Sequence, residues 1–264
     1  MPELSIIIPA YNEESRLPAT LDSVHEFLEQ HGKSFEIVVV DDGSHDRTAD
    51  VVQRYAAENP EVRLVSYQPN RGKGFAVRSG MLAARGDVLL MNDADGSSPI
   101  EELVRLEDAI ASGADIAIGS RAKPDTTRKV QAQVHRKFIG NTFNFIVQSL
   151  LLPGLFDTQC GFKMFKRAAA RDIFSVNRID GFGFDVEVLF IGRTRGYKIT
   201  EVAINWANVE GSKVNVLVDS PKMFFEVLKV LLASWTGMYK PGKKGRLQGE
   251  GLIGVSDRDR DDAS

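Results

Sequence analysis

Two aspartates stand two residues apart where an apolar run of the sequence ends. The run is residues 88–91, and the motif after it reads Asp93-Ala-Asp95-Gly. A hard cation such as Mg²⁺ or Mn²⁺ takes one or two protein carboxylates and completes its coordination with water and phosphate oxygens. The spacing therefore suits a metal that carries a diphosphate, although Asp and Gly are also ordinary turn residues that end many strands.

A second acidic motif, Asp41-Asp42-Gly-Ser, follows the apolar run at residues 36–40. Adjacent carboxylates repel each other, so the pair needs a partner such as base imino groups, ribose hydroxyls or a cation. This motif favours a binding site more strongly than a simple turn.

Near the N-terminus, the segment Pro9-Ala-Tyr11-Asn12-Glu13 presents an aromatic ring and a carboxylate after a β-branched run. The ring could stack on a nucleobase and the carboxylate could bind the base edge. The same residues could instead start a helix, because Asn is a good N-cap and Glu suits the positive helix N-terminus. Both interpretations remain open from this motif alone.

A glycine-rich segment at residues 70–74 reads Asn-Arg-Gly-Lys73-Gly. It lacks the spacing of a phosphate-binding P-loop, yet its glycines would let the backbone and Lys73 approach a ligand before a helix begins. A solvated turn is the alternative.

Apolar runs that read as strands alternate with helix-like stretches, which predicts an α/β fold with a mainly parallel sheet and helices on both faces. The predicted strands are residues 4–8, 36–40, 62–67, 88–91 and 116–118, and the clearest predicted helices are residues 74–84 and 99–111. Ligands of such sheets bind outside the carboxyl ends of the strands. We therefore expect one edge of the sheet to gather Tyr11, Asp42, Asp95 and Arg121.

Length and composition limit the possible organisation. With 264 residues and 43% apolar content, the chain can bury one substantial core, so we expect a single domain over residues 1–240. The polar tail at residues 241–264 is expected to be disordered. A net charge of -3 argues against nucleic acid as a partner. Cys160 is the only cysteine, which excludes an internal disulfide and fits a reducing compartment.

Two segments are candidates for contact with a membrane surface, residues 138–156 and 221–239, because each combines large apolar side chains with basic ends. Ordinary core helices are the alternative interpretation. No signal peptide is visible, and the apolar runs are shorter or more interrupted than the about 20 residues that a spanning helix needs. We therefore expect a protein that is soluble or lies on a membrane surface.

These motifs together resemble one family. Three more segments follow in the same order, Gly119-Ser-Arg121, Asp157-Thr-Gln-Cys-Gly-Phe-Lys163 and Glu210-Gly-Ser212-Lys213. The ordered set, over about residues 3–240, resembles the family 2 inverting glycosyltransferases that act on polyprenyl phosphates. Within that family the chain is more similar to the dolichyl-phosphate β-glucosyltransferases than to the mannosyl enzymes, on the Asp95-Gly96, 157–163, Asn205-Trp206 and 210–213 segments.

The resemblance implies a GT-A type fold with a Rossmann-like nucleotide-binding half and a Mg²⁺ or Mn²⁺ cofactor. It implies transfer of glucose from UDP-glucose to a polyprenyl (dolichyl-type) phosphate with inversion, by a peripheral protein on the cytoplasmic face of a membrane. Two alternatives stay open: mannosyl transfer from GDP-mannose, and a non-catalytic scaffold that binds nucleotide sugars.

The resemblance also implies roles for residues on the donor side. The nucleoside would contact four residues, Pro9, Tyr11, Glu13 and Asp42. Asp41 and Lys73 would complete the donor site. Asp93 and Asp95 would hold the metal and the diphosphate, and Arg121 would neutralise phosphate charge. Ser97 departs from the glutamine that mannosyl relatives often carry as a further metal ligand, so water is expected in that position.

On the acceptor side, we assign the phosphate to Arg136, Ser212 and Lys213, since cationic groups suit it. Asp185 would orient the catalytic site, although a favourable charge at a helix N-terminus would explain it equally well.

Overall fold

A computed structural model of the protein describes residues 1–125, 128, 130–131, 147–207, 209 and 216–241. Along the chain the elements are β1 (Leu4–Ala10), α1 (Leu17–His31), β2 (Phe35–Asp41), α2 (Thr48–Glu58), β3 (Val62–Ser66), α3 (Lys73–Ala83), β4 (Val88–Asn92), a 3₁₀ turn (Ile100–Glu102), α4 (Leu103–Ala111), β5 (Ile116–Ser120), β6 (Val130–Gln131), β7 (Phe162–Lys166), α5 (Arg167–Phe174), α6 (Phe184–Thr194), β8 (Ile199–Ala203), β9 (Trp206–Ala207) and α7 (Val216–Trp235).

The main sheet has seven strands in the order β3-β2-β1-β4-β7-β5-β8. Its strands are parallel except β7, which pairs antiparallel with both β4 and β5. The middle strands are apolar on both faces because helices cover the sheet on both sides. One core lies under α3, α5, α6 and α7, and the other lies under α1, α2 and α4. The predicted mainly parallel α/β fold is confirmed.

The parallel strands end at one edge of the sheet, which we call the carboxyl edge. Asp41, Asn92 and Ser120 are the last residues of β2, β4 and β5. Because β7 runs the opposite way, its first residue, Phe162, pairs with Asn92. The segment that leads into β7 is therefore brought to the carboxyl edge as well.

Two local expectations from the sequence need correction. β1 does not stop before Pro9 but continues to Ala10, because pairing with β4 ends at Ile7 and Pro9 has a ladder partner only on β2. Asn12 does not cap α1, which begins at Leu17. Asn12 has a φ of 53° and its side chain accepts a hydrogen bond from the His45 backbone, so it joins two loops.

The candidate membrane-facing segments are described only in part. Residues 138–146 of the first segment lie outside the described residues. The second corresponds largely to α7, which buries Met223, Val227 and Val230 on one face. Its other side exposes four large apolar side chains, Phe224, Phe225, Leu232 and Trp235. Among the helices described, none combines the length and apolar character needed to cross a membrane.

Candidate functional site

Asp93 lies at the carboxyl edge, directly after β4, with a positive partner already in place. The Nζ atom of Lys73, the first residue of α3, is 2.7 Å from Asp93 Oδ1. Burial alone would lower the pKa of Lys73, but Asp93 and Asp185 outweigh that effect and raise it, so the lysine is a cation. The glycine-rich segment thus brings a positive charge to the acidic motif, as its glycines suggest.

Gly161 makes room for the Asp93 carboxylate. A Cβ atom on residue 161 would lie 2.0 Å from Asp93 Oδ2, which no real structure tolerates. The backbone at residue 161, just before β7, therefore forms a wall of the site against which Asp93 rests.

Asp95 follows in the same loop, and its Oδ1 accepts a hydrogen bond from the Ser97 backbone. Asp93 and Asp95 are both partly exposed, and both offer the oxygen ligands that a hard cation prefers. In the described part of the chain, no cluster of three or more His, Cys, Asp or Glu residues could hold a metal. The pair fits a cation that takes its remaining oxygens from phosphate and water.

A second ion pair lies beside the first and was not assigned from the sequence. Lys163 on β7 is fully buried, and its Nζ donates to Asp185 Oδ1 and to the Cys160 carbonyl oxygen. Burial raises the pKa of Asp185, while Lys163 and Lys73 oppose that rise. The sequence does contain one signal for this ion pair, because Lys163 is the lone basic residue in the apolar segment 162–165. A buried lysine needs a carboxylate partner.

Asp185 is in the first turn of α6, at the position predicted to orient the site. It interacts electrostatically with Lys73 and Asp93 as well as with Lys163. The structure therefore brings Asp93, Lys73, Asp185 and Lys163 into one group of two negative and two positive charges. Asp185 thus interacts with charged side chains of the site in addition to its place at a helix N-terminus.

Asp42 binds the chain segment that precedes Lys73. Its Oδ1 accepts hydrogen bonds from the Tyr67 hydroxyl and the Arg71 backbone, and its Oδ2 accepts from Asn70 Nδ2 and the Gly72 backbone. Burial raises the pKa of Asp42, and these donors oppose the rise. These four contacts hold Asp42 against residues 67–72, and its contact with a nucleoside stays a prediction.

Asp41 is buried in a similar way. Its oxygens accept hydrogen bonds from the Ser44 backbone and from Ser66 Oγ, which fixes the turn after β2. Both aspartates of the second acidic motif therefore have protein partners, as their mutual repulsion requires.

The segment after β1 lies against the same turn. The Tyr11 ring meets His45 edge to face, with centroids 6.4 Å apart, and remains partly exposed. Glu13 is buried and accepts from Arg16 Nε at 2.7 Å. Pro9 is half-buried within β1. Of these residues, Tyr11 is the one whose ring is accessible for stacking on a base.

Arg121 follows β5 at the carboxyl edge and has a partner that sequence reasoning did not assign. Its Nε and Nη2 donate to the two oxygens of Asp157 at 2.7 and 2.8 Å. Burial would raise the pKa of Asp157, but Arg121 outweighs it and holds that pKa below its usual value. A third of the Arg121 side chain remains exposed, so its other N–H groups are available to an anion.

The remaining predicted residues, Arg136, Ser212 and Lys213, lie outside the described residues. The described part of the site has a consistent chemical character. Partly exposed carboxylates for a cation, an accessible aromatic ring and a fixed guanidinium meet at one edge of a parallel sheet, where α/β folds bind ligands. This arrangement suits a nucleoside diphosphate held through a divalent metal.

Comparison with known proteins agrees with this chemistry. Residues 5–174 match the family described as Glycosyl transferase family 2. The dolichyl-phosphate β-glucosyltransferase of Dictyostelium discoideum is 38% identical over 249 residues, which cover 90% of this chain and 76% of that protein. The enzyme of that name from Homo sapiens is 36% identical over 251 residues, covering 90% and 78%. The one from Saccharomyces cerevisiae is 37% identical over 262 residues, covering 91% and 78%.

Solved structures show the same fold. Glucosyl-3-phosphoglycerate synthase from Mycobacterium tuberculosis in complex with UDP superposes with a TM-score of 0.66, at 19% identity, covering 87% of this chain and 80% of that one. The same enzyme in complex with Mn²⁺, UDP-glucose and phosphoglyceric acid gives a TM-score of 0.65, also at 19% identity, covering 88% and 79%. The predicted GT-A fold is confirmed.

The matched family covers more than half of the chain, and the curated relatives match about nine tenths of it. The chain belongs to glycosyl transferase family 2 and is a glycosyltransferase similar to the dolichyl-phosphate β-glucosyltransferases.

Proposed function

We propose that this protein transfers glucose from UDP-glucose to a polyprenyl phosphate and forms a β-linked polyprenyl-phosphate glucose. The observation that carries the proposal is the 36–38% identity over nine tenths of the chain to enzymes named dolichyl-phosphate β-glucosyltransferase. The fold fits that activity, and so do Asp93 and Asp95 at the carboxyl edge of the sheet, because both features suit a metal-bound nucleotide sugar. Mannosyl transfer from GDP-mannose is the rival that the test must separate.

For the donor, we propose that Tyr11 stacks on the base and that Asp93 and Asp95 hold a divalent metal. The metal would neutralise charge on the leaving diphosphate. Mn²⁺ is present with UDP-glucose in the mycobacterial synthase, which supports a divalent ion without selecting Mn²⁺ over Mg²⁺ here. Lys73 and the exposed N–H groups of Arg121 would add positive charge on either side of the diphosphate.

For the chemistry, the acceptor supplies its own nucleophile. A phosphate monoester with a second pKa near 6 is largely dianionic at neutral pH, so its oxygen can attack the anomeric carbon without a protein base. The protein then has to position the two substrates and neutralise charge. We keep Arg136, Ser212 and Lys213 as the proposed contacts of the acceptor phosphate. Asp185, paired with Lys163 and close to Lys73, is proposed to fix the arrangement of charges.

For the lipid tail of the acceptor, we propose that the exposed side of α7 rests on a membrane. Phe225 and Trp235 are 63% and 80% exposed, and Lys222 and Lys229 are exposed on the same helix. Aromatic side chains with basic neighbours are typical of helices at an anionic membrane surface. The cytoplasmic face belongs to the same proposal, supported by the single cysteine, a buried free thiol.

The test is a turnover assay with purified protein, a short-chain polyprenyl phosphate, Mg²⁺ or Mn²⁺, and either UDP-glucose or GDP-mannose as donor. We expect lipid-linked sugar from UDP-glucose at a rate at least tenfold above that from GDP-mannose. Preference for GDP-mannose would overturn the choice of sugar. Binding of a donor without turnover of either one would favour a non-catalytic scaffold.

A further inference from the structure

Glu226 points from α7 into the protein, toward the connection that leads into α6. It is partly buried and lies next to the face of the helix that buries Met223, Val227 and Val230. Its Oε2 accepts a hydrogen bond from the Gly183 backbone at 2.7 Å. The contact is close on two sides, because a Cβ atom at Gly181 or Gly183 would lie 2.2 or 2.7 Å from the Glu226 side chain.

The connection that Glu226 contacts, residues 177–183, lies directly against the segment that presents Lys73. The Asp180 carbonyl oxygen accepts hydrogen bonds from the Gly74 backbone at 2.7 Å and from the Phe75 backbone at 3.3 Å. A Cβ atom at Gly72 would lie 2.5 Å from that same oxygen. Residues 177–183 and residues 72–75 therefore leave no space between them. We expect a shift of residues 177–183 to move the start of α3.

The same connection also leads into the helix that carries Asp185. Gly183 immediately precedes α6, and Asp185 is its second residue. Glu226 thus accepts from an N–H group at the start of α6, where a negative charge is favourable. Glu226 therefore contacts the connection that lies between the segments holding Lys73 and Asp185.

A second contact ties the end of the α7 region to this connection. The Tyr239 hydroxyl donates to Glu187 Oε1 at 2.7 Å, and the carboxylate of Glu187 accepts from the backbones of Arg178 and Ile179. Glu187 and Tyr239 are both buried. Residues 177–183 are thus held at one end through Tyr239 and at the other through Glu226.

We propose that Glu226 is a positioning residue for sugar transfer, which sets the relative placement of Lys73 and Asp185 from the helix whose other side is exposed and aromatic. The proposal rests on the proposed function. It predicts that Glu226 affects the chemical step more than donor binding, because the proposed nucleoside contacts lie outside residues 177–183, and the metal and Arg121 share with Lys73 the proposed binding of the diphosphate. The placement of α7 on a membrane surface would then affect the site through the Glu226 carboxylate.

The test compares Glu226→Ala and Glu226→Gln with the wild-type protein in a detergent-solubilised assay with UDP-glucose and a short polyprenyl phosphate. A small displacement of catalytic groups can cost up to about a hundredfold in rate, so we expect kcat to fall about tenfold or more in the alanine variant. The KM for UDP-glucose should change less than threefold. Gln keeps an acceptor for the Gly183 N–H group, so Glu226→Gln should recover part of the lost kcat.

Hydrogen exchange provides a readout that does not depend on activity. In Glu226→Ala, the amides of Gly183, Gly74 and Phe75 should exchange faster than in the wild type, while amides in β1 and β2 keep their rates. Glu26→Ala, at an exposed position of α1, is the matched control and should change neither kcat nor these amides.

The outcomes separate this proposal from the proposed function. If the wild-type protein makes no lipid-linked glucose, the proposed function fails, and exchange still reports whether Glu226 fixes residues 74–75. If the wild type is active and Glu226→Ala keeps full kcat, the positioning role is wrong. A uniform rise in exchange across the whole sheet, with equal losses in both Glu226 variants, would show general destabilisation and would also overturn it.

Discussion

At the scale of single residues, the site consists of carboxylates that lie against positive groups. Lys73 pairs with Asp93, Lys163 with Asp185, and Arg121 with Asp157. Asp95 differs from these, because the hydrogen bond it accepts at Oδ1 comes from a backbone amide. We therefore choose Asp95 as the first residue at which to test the proposed metal role.

Replacing Asp95 with Asn should lower turnover by more than about tenfold, because the change removes negative charge opposite the cation and diphosphate. The loop should stay in place, since an amide oxygen can still accept from the Ser97 backbone. Turnover is measured at saturating UDP-glucose over a range of Mg²⁺ or Mn²⁺ concentrations, with Asp108→Asn on the exposed side of α4 as the control. Unchanged metal-dependent turnover with an unchanged melting temperature would contradict a metal role for Asp95.

The Arg121–Asp157 pair makes a prediction about stability and pH. Arg121 holds the pKa of Asp157 below its ordinary value of 3.8, so the pair stabilises the fold above about pH 4 and loses this contribution as the pH falls through the lowered pKa. Asp157→Asn removes the buried carboxylate that pairs with the partly exposed Arg121 guanidinium, and should cost about 2 kcal/mol in free energy of unfolding at pH 7.

Urea unfolding at a series of pH values from 7 to 3 measures this difference. The difference in free energy of unfolding between wild type and Asp157→Asn should narrow as the pH falls below about 4, because the unfolded wild-type chain then takes up a proton on Asp157 that the folded state resists. If the difference in free energy of unfolding between the two proteins stays constant over the pH series, the Arg121–Asp157 charge pair is not its cause.

At the scale of elements, the strands that begin βαβ units could be predicted from their apolar runs. Residues 36–40 and 88–91 were predicted as strands, and the structure extends them only to Phe35–Asp41 and Val88–Asn92. These strands are buried on both faces, so their sequences are continuous apolar runs with turn residues after them. The positions of Asp42 and Asp93 at one edge followed from the parallel arrangement.

The place of β7 could not be predicted in the same way. β7 lies between β4 and β5 and pairs antiparallel with both. Its partner residues on these two strands lie more than 40 residues earlier in the sequence. Local periodicity carries no information about such distant pairing. For this reason no role could be assigned to Lys163 or Gly161 from the sequence, although the pairing brings both to the carboxyl edge. The Arg121–Asp157 pair was missed for the same reason.

Gly161 provides a test of how β7 shapes the site. In Gly161→Ala, the new Cβ atom would lie 2.0 Å from Asp93 Oδ2, so the carboxylate must turn away from its place beside Lys73. We expect the affinity for Mn²⁺ in the presence of UDP to fall about tenfold or more, since ligand orientation controls metal affinity. Titration calorimetry measures this affinity.

Gly32→Ala is the matched control, because residue 32 has open space around its Cβ position and lies at the end of α1. Its φ of 77° makes alanine costly for stability but not for the site. Equal Mn²⁺ affinities for Gly161→Ala and the wild type would show that the wall at residue 161 does not set the position of Asp93.

At the scale of the whole molecule, the polar edge of the sheet and the exposed apolar side of α7 serve different substrates in the proposed reaction. The charged edge suits the water-soluble donor, and Phe225 and Trp235 suit the surface in which the acceptor is embedded. Glu226 lies next to the buried face of the same helix and contacts the connection beside the site. Membrane contact and catalysis are therefore expected to share α7.

Replacing both Phe225 and Trp235 with Ser should weaken binding to anionic phospholipid vesicles by about a hundredfold or more, because each buried aromatic side chain contributes about 1.5–3 kcal/mol. Co-sedimentation with vesicles measures the binding, and UDP affinity should stay the same. Val104→Ser removes an exposed apolar side chain from α4 and should leave vesicle binding unchanged. Equal binding of the double variant and the wild type would exclude this side of α7 as the membrane contact.

The most direct test of the central claim is the structure of the product. The protein is incubated with ¹³C-labelled UDP-glucose and a short polyprenyl phosphate, and the lipid fraction is examined by mass spectrometry and by NMR at the anomeric carbon. We predict one hexose on the lipid phosphate, in the β configuration, with UDP released in equal amount. An α-linked product, or free glucose and UDP without a lipid product, would contradict inverting transfer to a polyprenyl phosphate.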